Sequence, residues 1–262
     1  MKSVLFRIAV AGAIIGFAPS TFAAAKTYVS QTGSDSNTAA NCSRGSPCRN
    51  FSAAYTVTNT GGEIVALDST GYGQVSIGKA ITISGAPGTT ATVQVPVSSS
   101  GITVNAPSSD VVVLRNLVFS GSGANCTGIN HASGMLIVQD SRFSALAFGI
   151  KSTAKSSISD SDFVGNGIGL QVTGEGSDQQ GNPNMNACVA ACAVVRGGSF
   201  VGNTTALASV SSVLGKENIF IRSLGSGEFL THFEFNGTFF SPGDNVGQTQ
   251  PSYISAGYNM SP

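Results

Sequence analysis

Four octets in this chain alternate apolar and polar positions and end on phenylalanine: "VVLRNLVF" at 112–119, "LIVQDSRF" at 136–143, "SSISDSDF" at 156–163 and "AVVRGGSF" at 193–200. Five residues before each Phe stand Leu114, Val138, Ile158 and Val195, all apolar. One step on come Arg115, Gln139, Ser159 and Arg196, all polar. This in–out alternation has the two-residue period of a β-strand. A second apolar position follows Phe143, Phe163 and Phe200 by seven residues, at Ile150, Leu170 and Leu207, each behind a small residue, Gly149, Gly169 or Ala206. The first copy reaches Ile129, behind Gly128, three residues late, through the longer turn "SGSGANCTG". Each unit therefore supplies two or three short strands, and the recurring glycines exclude helices of that length.

The phenylalanines are 24, 20 and 37 residues apart, and the last interval becomes 20 if "TGEGSDQQGNPNMNACVA" carries a 17-residue insertion. A unit recurring at this length indicates a stacked solenoid. Its parallel strands lie about 4.8 Å apart, which piles Phe119, Phe143, Phe163 and Phe200 into one internal column. Burying each ring contributes roughly 1.5–3 kcal/mol. The predicted fold is all-β: a single-stranded right-handed parallel β-helix of about seven or eight coils.

The ends of such a stack must be covered, because an open edge pairs with other chains. "NFSAAYTVTN", residues 50–59, has Phe51, Ala54, Tyr55 and Thr58 at helical spacing and reads as a short N-terminal capping helix. "THFEFNGTFF", residues 231–240, gathers aromatics that would close the other end.

Lys2 and Arg7, the apolar run Ile8–Phe17 and the small residues that follow describe a secretory signal peptide. The run falls short of the roughly 20 residues of a membrane span. Cleavage after Ala25 or Ala23 satisfies the small-x-small rule, with Ala25 preferred. The resulting plan is a signal peptide at 1–25 (or 1–23), an N-terminal cap at 26–60, the β-helix at 61–230 with its insertion loop at about 173–190, and a C-terminal cap and tail at 231–262. Localisation is expected to be secreted or periplasmic, with no transmembrane segment in the mature chain. Net charge is zero, and charged residues make up 10% of the chain, so no electrostatic footprint for nucleic acid exists. Five cysteines in an exported chain suggest disulfides. Local pairing joins Cys42 to Cys48 and Cys188 to Cys192 and leaves Cys126 over, while crosswise pairing that involves Cys126 stays open.

"TYVSQTGSDSNTAANCSRGSPCRNFSAAY" and "GGEIVALDSTGYGQVSIGKAITISG" resemble the start of bacterial, secreted right-handed β-helix proteins of the pectin lyase-like superfamily. Those proteins open on Tyr-Val-Ser-x-x-Gly-x-Asp and pass through a Pro-Cys-Arg segment and a capping helix into a Gly-Tyr-Gly coil. "TFFSPGDNVG", residues 238–247, resembles a segment near the end of many of them. The superfamily holds lyases, hydrolases, esterases, epimerases and proteins of unknown role, so the resemblance implies a fold and no particular chemistry.

Asp140 and Asp160 invite a reading as paired catalytic carboxylates. Their column, however, runs Asn116, Asp140, Asp160, Gly197, the residue types that best tolerate a left-handed backbone. They are expected to be turn residues. Arg142 and Asp162, facing each other on adjacent coils, are expected to form an exposed ion pair. They are also candidates to grip a ligand.

The superfamily's sites typically lie beside the first strand of each coil. There the outward positions are Asn130, Lys151, Gln171 and Ala208. These four offer no carboxylate for acid–base hydrolysis, and Lys151 would serve as a base only with a strongly lowered pKa. His131 is placed inward as a satisfied imidazole, and His232 among cap aromatics. Glu175 and Asp178, in the insertion, match no calcium loop. No Gly-Lys-Ser/Thr phosphate loop is present.

The reading is thus an exported non-catalytic β-helix protein that binds a polysaccharide or cell-surface glycan through Asn130, Lys151, Gln171, Arg142 and Asp162. It is expected to use no cofactor and no metal. The alternative is a polysaccharide lyase or glycoside hydrolase with an atypical active site.

Overall fold

The computed structural model describes residues 23–122, 124–173, 192–209, 212–216, 219–221, 232–235, 239–240 and 246–247. Most of the expected signal peptide, the insertion with Glu175, Asp178 and Cys188, and the tail beyond 247 lie outside these residues. Among the described residues the strands form three sheets. Sheet A has nine strands, from Ala24–Val29 and Thr58–Ala66 through Met135–Gln139 to Phe239–Phe240. Sheet B has seven, from Ala91–Val95 to Val246–Gly247, and sheet C has seven, from Val75–Ile77 to His232–Phe235. The pairings are parallel, and from Ile81 onward the strands visit A, then B, then C in turn. Parallel strands joined by crossovers of this kind wind right-handed, so the chain is a right-handed parallel β-helix. The ladder continues past residue 230, since the last strand of each sheet lies beyond it.

The phenylalanine column holds the stack. Phe119, Phe143, Phe163 and Phe200 are fully buried. Their ring centroids follow one another at 4.7, 4.8 and 4.7 Å, with planes within 7° of parallel. That spacing is the strand repeat itself. The small residues six positions on have a steric reason. A Cβ on Gly149 would sit 2.4 Å from the Gly169 carbonyl oxygen and 2.8 Å from the Phe163 ring. The sheet C strands thus come close enough to cover the column.

The sharp bend from sheet A to sheet B is made by the predicted column, with φ of 53°, 47°, 50° and 61° at Asn116, Asp140, Asp160 and Gly197. Directly after two of these residues lie buried serines that link the coils. The Ser141 N–H donates to Ser161 Oγ at 3.2 Å, and Ser161 Oγ donates to the Ser159 carbonyl at 2.8 Å. Asp-Ser-x-Phe is therefore one structural unit: a left-handed bend, a polar rung and a core ring.

The N-terminal cap is a hydrogen-bonded clamp. The helix runs Phe51–Val57, burying Phe51 and Ala54, and ends where Thr58 turns extended to begin a strand. The Asp35 carboxylate accepts from the Arg49 and Asn50 N–H groups, each at 2.9 Å, and so fixes the helix entrance. The Asp68 carboxylate accepts from Ser30 Oγ at 2.7 Å and from the buried Tyr72 hydroxyl. Burial works against its ionised form, yet the hydrogen bonds from Tyr72, Ser30 and Gln31 hold its carboxyl below the usual range. Cys42 and Cys48 are disulfide-bonded and buried, and their loop hydrogen-bonds along the first strand. Cys192 is also disulfide-bonded, to a partner outside the described residues. Cys126 is a buried thiol, 3.8 Å from the Ala145 carbonyl.

Removing one ring from the column leaves a cavity between two others. Phe163→Ala should lower unfolding free energy by about 3–5 kcal/mol in chemical denaturation. Asp160→Asn should stay within about 0.5 kcal/mol of the parent, whereas Asp160→Val, which resists a left-handed φ, should cost about 1–2 kcal/mol. A large loss in Asp160→Asn would show that the carboxylate does more than turn the chain.

Candidate functional site

Sheet C carries the outward column expected to bind. Its register runs Ser76, Thr103, Asn130, Lys151, Gln171 and Ala208 on successive coils. The strand alternation sets this: Ile150 and Ser152 are buried on either side of exposed Lys151. At about 4.8 Å per coil, the four steps from Ser76 to Gln171 span about 19 Å. One coil beyond Ala208 the register brings Glu234 into the column. About 14 Å of stacked strands, three steps, separate its backbone from that of Lys151.

The N-terminal end of this column opens into a cavity of about 690 Å³ that the sequence reading did not find. Ser76 and Thr103 belong to both. Tyr55 of the capping helix, Gln74, Ser99 and Asn125 complete much of the wall, and none of the eleven lining residues is charged. Gln74 Nε2 donates to Ser99 Oγ and to the Ser100 carbonyl, each at 2.5 Å. Tyr55 is fixed from behind. Its hydroxyl accepts from the Gly78 N–H at 2.8 Å, and Lys79 Nζ lies 4.4 Å from the ring centroid. Lys79 also donates to the Tyr55 and Thr58 carbonyls at the helix C-terminus, and burial lowers its pKa. A wall of hydroxyls and amides with one braced aromatic ring can hydrogen-bond and stack against a hydroxyl-rich ring compound.

The other expected residues go elsewhere. Arg142 and Asp162 are register partners on sheet B, not on the sheet C face. The ion pair expected between them is not formed. Asp162 instead accepts from the Ser199 hydroxyl on its other side, and the ion pairs among the described residues centre on Glu63. Lys151 Nζ lies 5.6 Å from the centroid of Phe148, its neighbour on the same strand. Among the described residues no three His, Cys, Asp or Glu side chains gather where a metal could sit.

His131 points inward and is fully buried. Nδ1 lies 2.8 Å from Ser152 Oγ and Nε2 lies 3.3 Å from the Gly134 carbonyl. Burial pushes its pKa down to about 4, so the ring is neutral at pH 7. The side chain of His232 is outside the described ones.

No family model matches the chain, and no curated protein does. Among solved structures it is similar to a rhamnogalacturonan lyase, with 14% identity, a TM-score of 0.49 and coverage of 87% of this chain and 65% of that one. It is also similar to the pectate lyase Pel9A, with 12% identity, a TM-score of 0.37 and coverage of 88% and 81%. The class of protein, a single right-handed parallel β-helix, is defined by the sheet registers themselves.

Because the folded pKa of His131 lies below its unfolded value of about 6.5, the unfolded chain binds the extra proton first on acidification. Stability should be level above pH 7 and fall between pH 6.5 and about 4, by at most about 1.4 kcal/mol per pH unit. Thermal unfolding across that range checks this. His131→Gln should flatten the slope between pH 6.5 and 5, and an unchanged slope would assign it to other groups.

Proposed function

We propose that this is an exported, non-catalytic β-helix protein that binds a polysaccharide or surface glycan along sheet C. The observation that carries the reading is the continuity of the outward polar column with the uncharged cavity around Tyr55. A glycan chain needs repeated donors and acceptors at sugar-sized intervals, and a parallel stack supplies one set every ~4.8 Å. From Ser76 to Gln171, serine, threonine, asparagine, lysine and glutamine fill those positions in place of a carboxylate pair. Export is supported by the signal-peptide pattern and by the Cys42–Cys48 disulfide. No described helix is long and apolar enough to cross a membrane.

The mature protein should retain at least one glycan from a panel of neutral and acidic polysaccharides, with and without calcium. No new reducing ends or unsaturated products should appear. Replacing both Lys151 and Gln171 by Ala removes two hydrogen-bonding groups and should weaken capture about tenfold without changing the thermal midpoint. Turnover that Lys151→Ala abolishes would replace this reading with the alternative, a polysaccharide lyase or glycoside hydrolase with an atypical site.

A further inference from the structure

Sheet A carries a second cavity, of about 600 Å³, and its chemistry differs from that of sheet C. Where the sheet C cavity has no charged wall, this one is lined by Lys26, Arg44 and Arg115 together with Glu63 and Asp140. Glu63 is already satisfied: Lys26 Nζ is 2.8 Å from one carboxylate oxygen, and Arg115 Nη2, at 3.1 Å, and Ser84 Oγ, at 3.0 Å, meet the other. Burial opposes its charge, but those hydrogen bonds hold its carboxyl below the usual range. Asp140 is the exposed bend residue at the rim. Arg44 has no carboxylate partner among the described residues, and its guanidinium carbon lies 5.8 Å from the Tyr28 ring centroid. Glu63 engages only one of the Arg115 nitrogens, and about half of that side chain is exposed, at 48%. The cavity therefore has one positive charge in excess and guanidinium donors to spare. Its remaining wall includes Val65, Leu67 and Pro87.

We propose that this cavity is a second ligand site, separate from the sheet C groove, for a compact organic anion: a carboxylate carried on an apolar ring. Arg44 and Arg115 bind the carboxylate, since a guanidinium fork matches two carboxylate oxygens. The ring lies against Tyr28, Val65, Leu67 and Pro87. A neutral sugar would leave the guanidinium groups unmatched and set its hydroxyls against the apolar wall. A bare inorganic anion would leave that wall unused.

Titration of the mature chain with 3-phenylpropionate, by calorimetry and ligand-observed NMR, tests this. Its amide, acetate, glucuronate and inorganic phosphate serve as the other arms. The aromatic acid should bind at least tenfold tighter than each of these. Arg44→Gln, an exposed loop change that leaves the Glu63 network intact, should weaken binding about tenfold. Arg142→Gln, on sheet B, should have no effect. Absence of binding by the aromatic acid would overturn the proposal. So would equal binding of its amide, of phosphate or of glucuronate, or an Arg44→Gln variant that binds like the parent.

Discussion

Every coil in the repeat region must return its phenylalanine to the same place, because the rings stack at the strand repeat of 4.7–4.8 Å with no freedom to slip. A coil out of register would place a polar side chain in that column and leave a ring in water. Several features that look like separate motifs serve this one constraint. The left-handed residues from Asn116 to Gly197 turn each strand at the same point. Ser141 and Ser161 tie the bends of adjacent coils, and Gly128, Gly149 and Gly169 let sheet C settle onto the rings. Asn166 and Asn203 add a third internal ladder: Asn203 Oδ1 accepts from the Asn166 backbone at 3.0 Å and from its side-chain amide at 2.9 Å.

A fixed interior frees the exterior. Stacking puts like positions above like, so outward residues form continuous columns whose character can differ from face to face. The N-terminal end of sheet C is lined with hydroxyls and amides, while that of sheet A carries arginine, lysine and glutamate. Both cavities lie toward the N-terminal end, where segments outside the phenylalanine octets, among them Lys26–Tyr28, Tyr55, Gln74 and Ser98–Ser100, supply much of the wall. Asp35, Asp68 and Tyr72 hold that end together through hydrogen bonds.

What the sequence revealed follows from the same physics. A repeat that must superpose leaves its columns in plain view, so the sheets, the phenylalanine stack and the bend at Asp160 could be read directly. "FVGN" begins at both Phe163 and Phe200 and carries the asparagine ladder, but two copies are too few to stand out as a column. Register predicted that Arg142 and Asp162 would be neighbours, but not that Asp162 would choose Ser199. A strand residue has a neighbour on each side, and periodicity cannot rank them. The cavities were not legible, because they join residues such as Tyr55, Gln74 and Asn125 that no repeat relates.

The most direct measurement of the central claim is hydrogen–deuterium exchange of the mature protein with and without a captured glycan. The account predicts new protection confined to Val75–Ile77, Ser100–Asn105, Thr127–Ser133, Phe148–Ser152 and Ile168–Val172 on sheet C, and to the cavity wall at Phe51–Val57, Gln74, Ser98, Ser99 and Asn125. Protection centred on sheet B around Arg142 and Asp162, with sheet C unchanged, would contradict it.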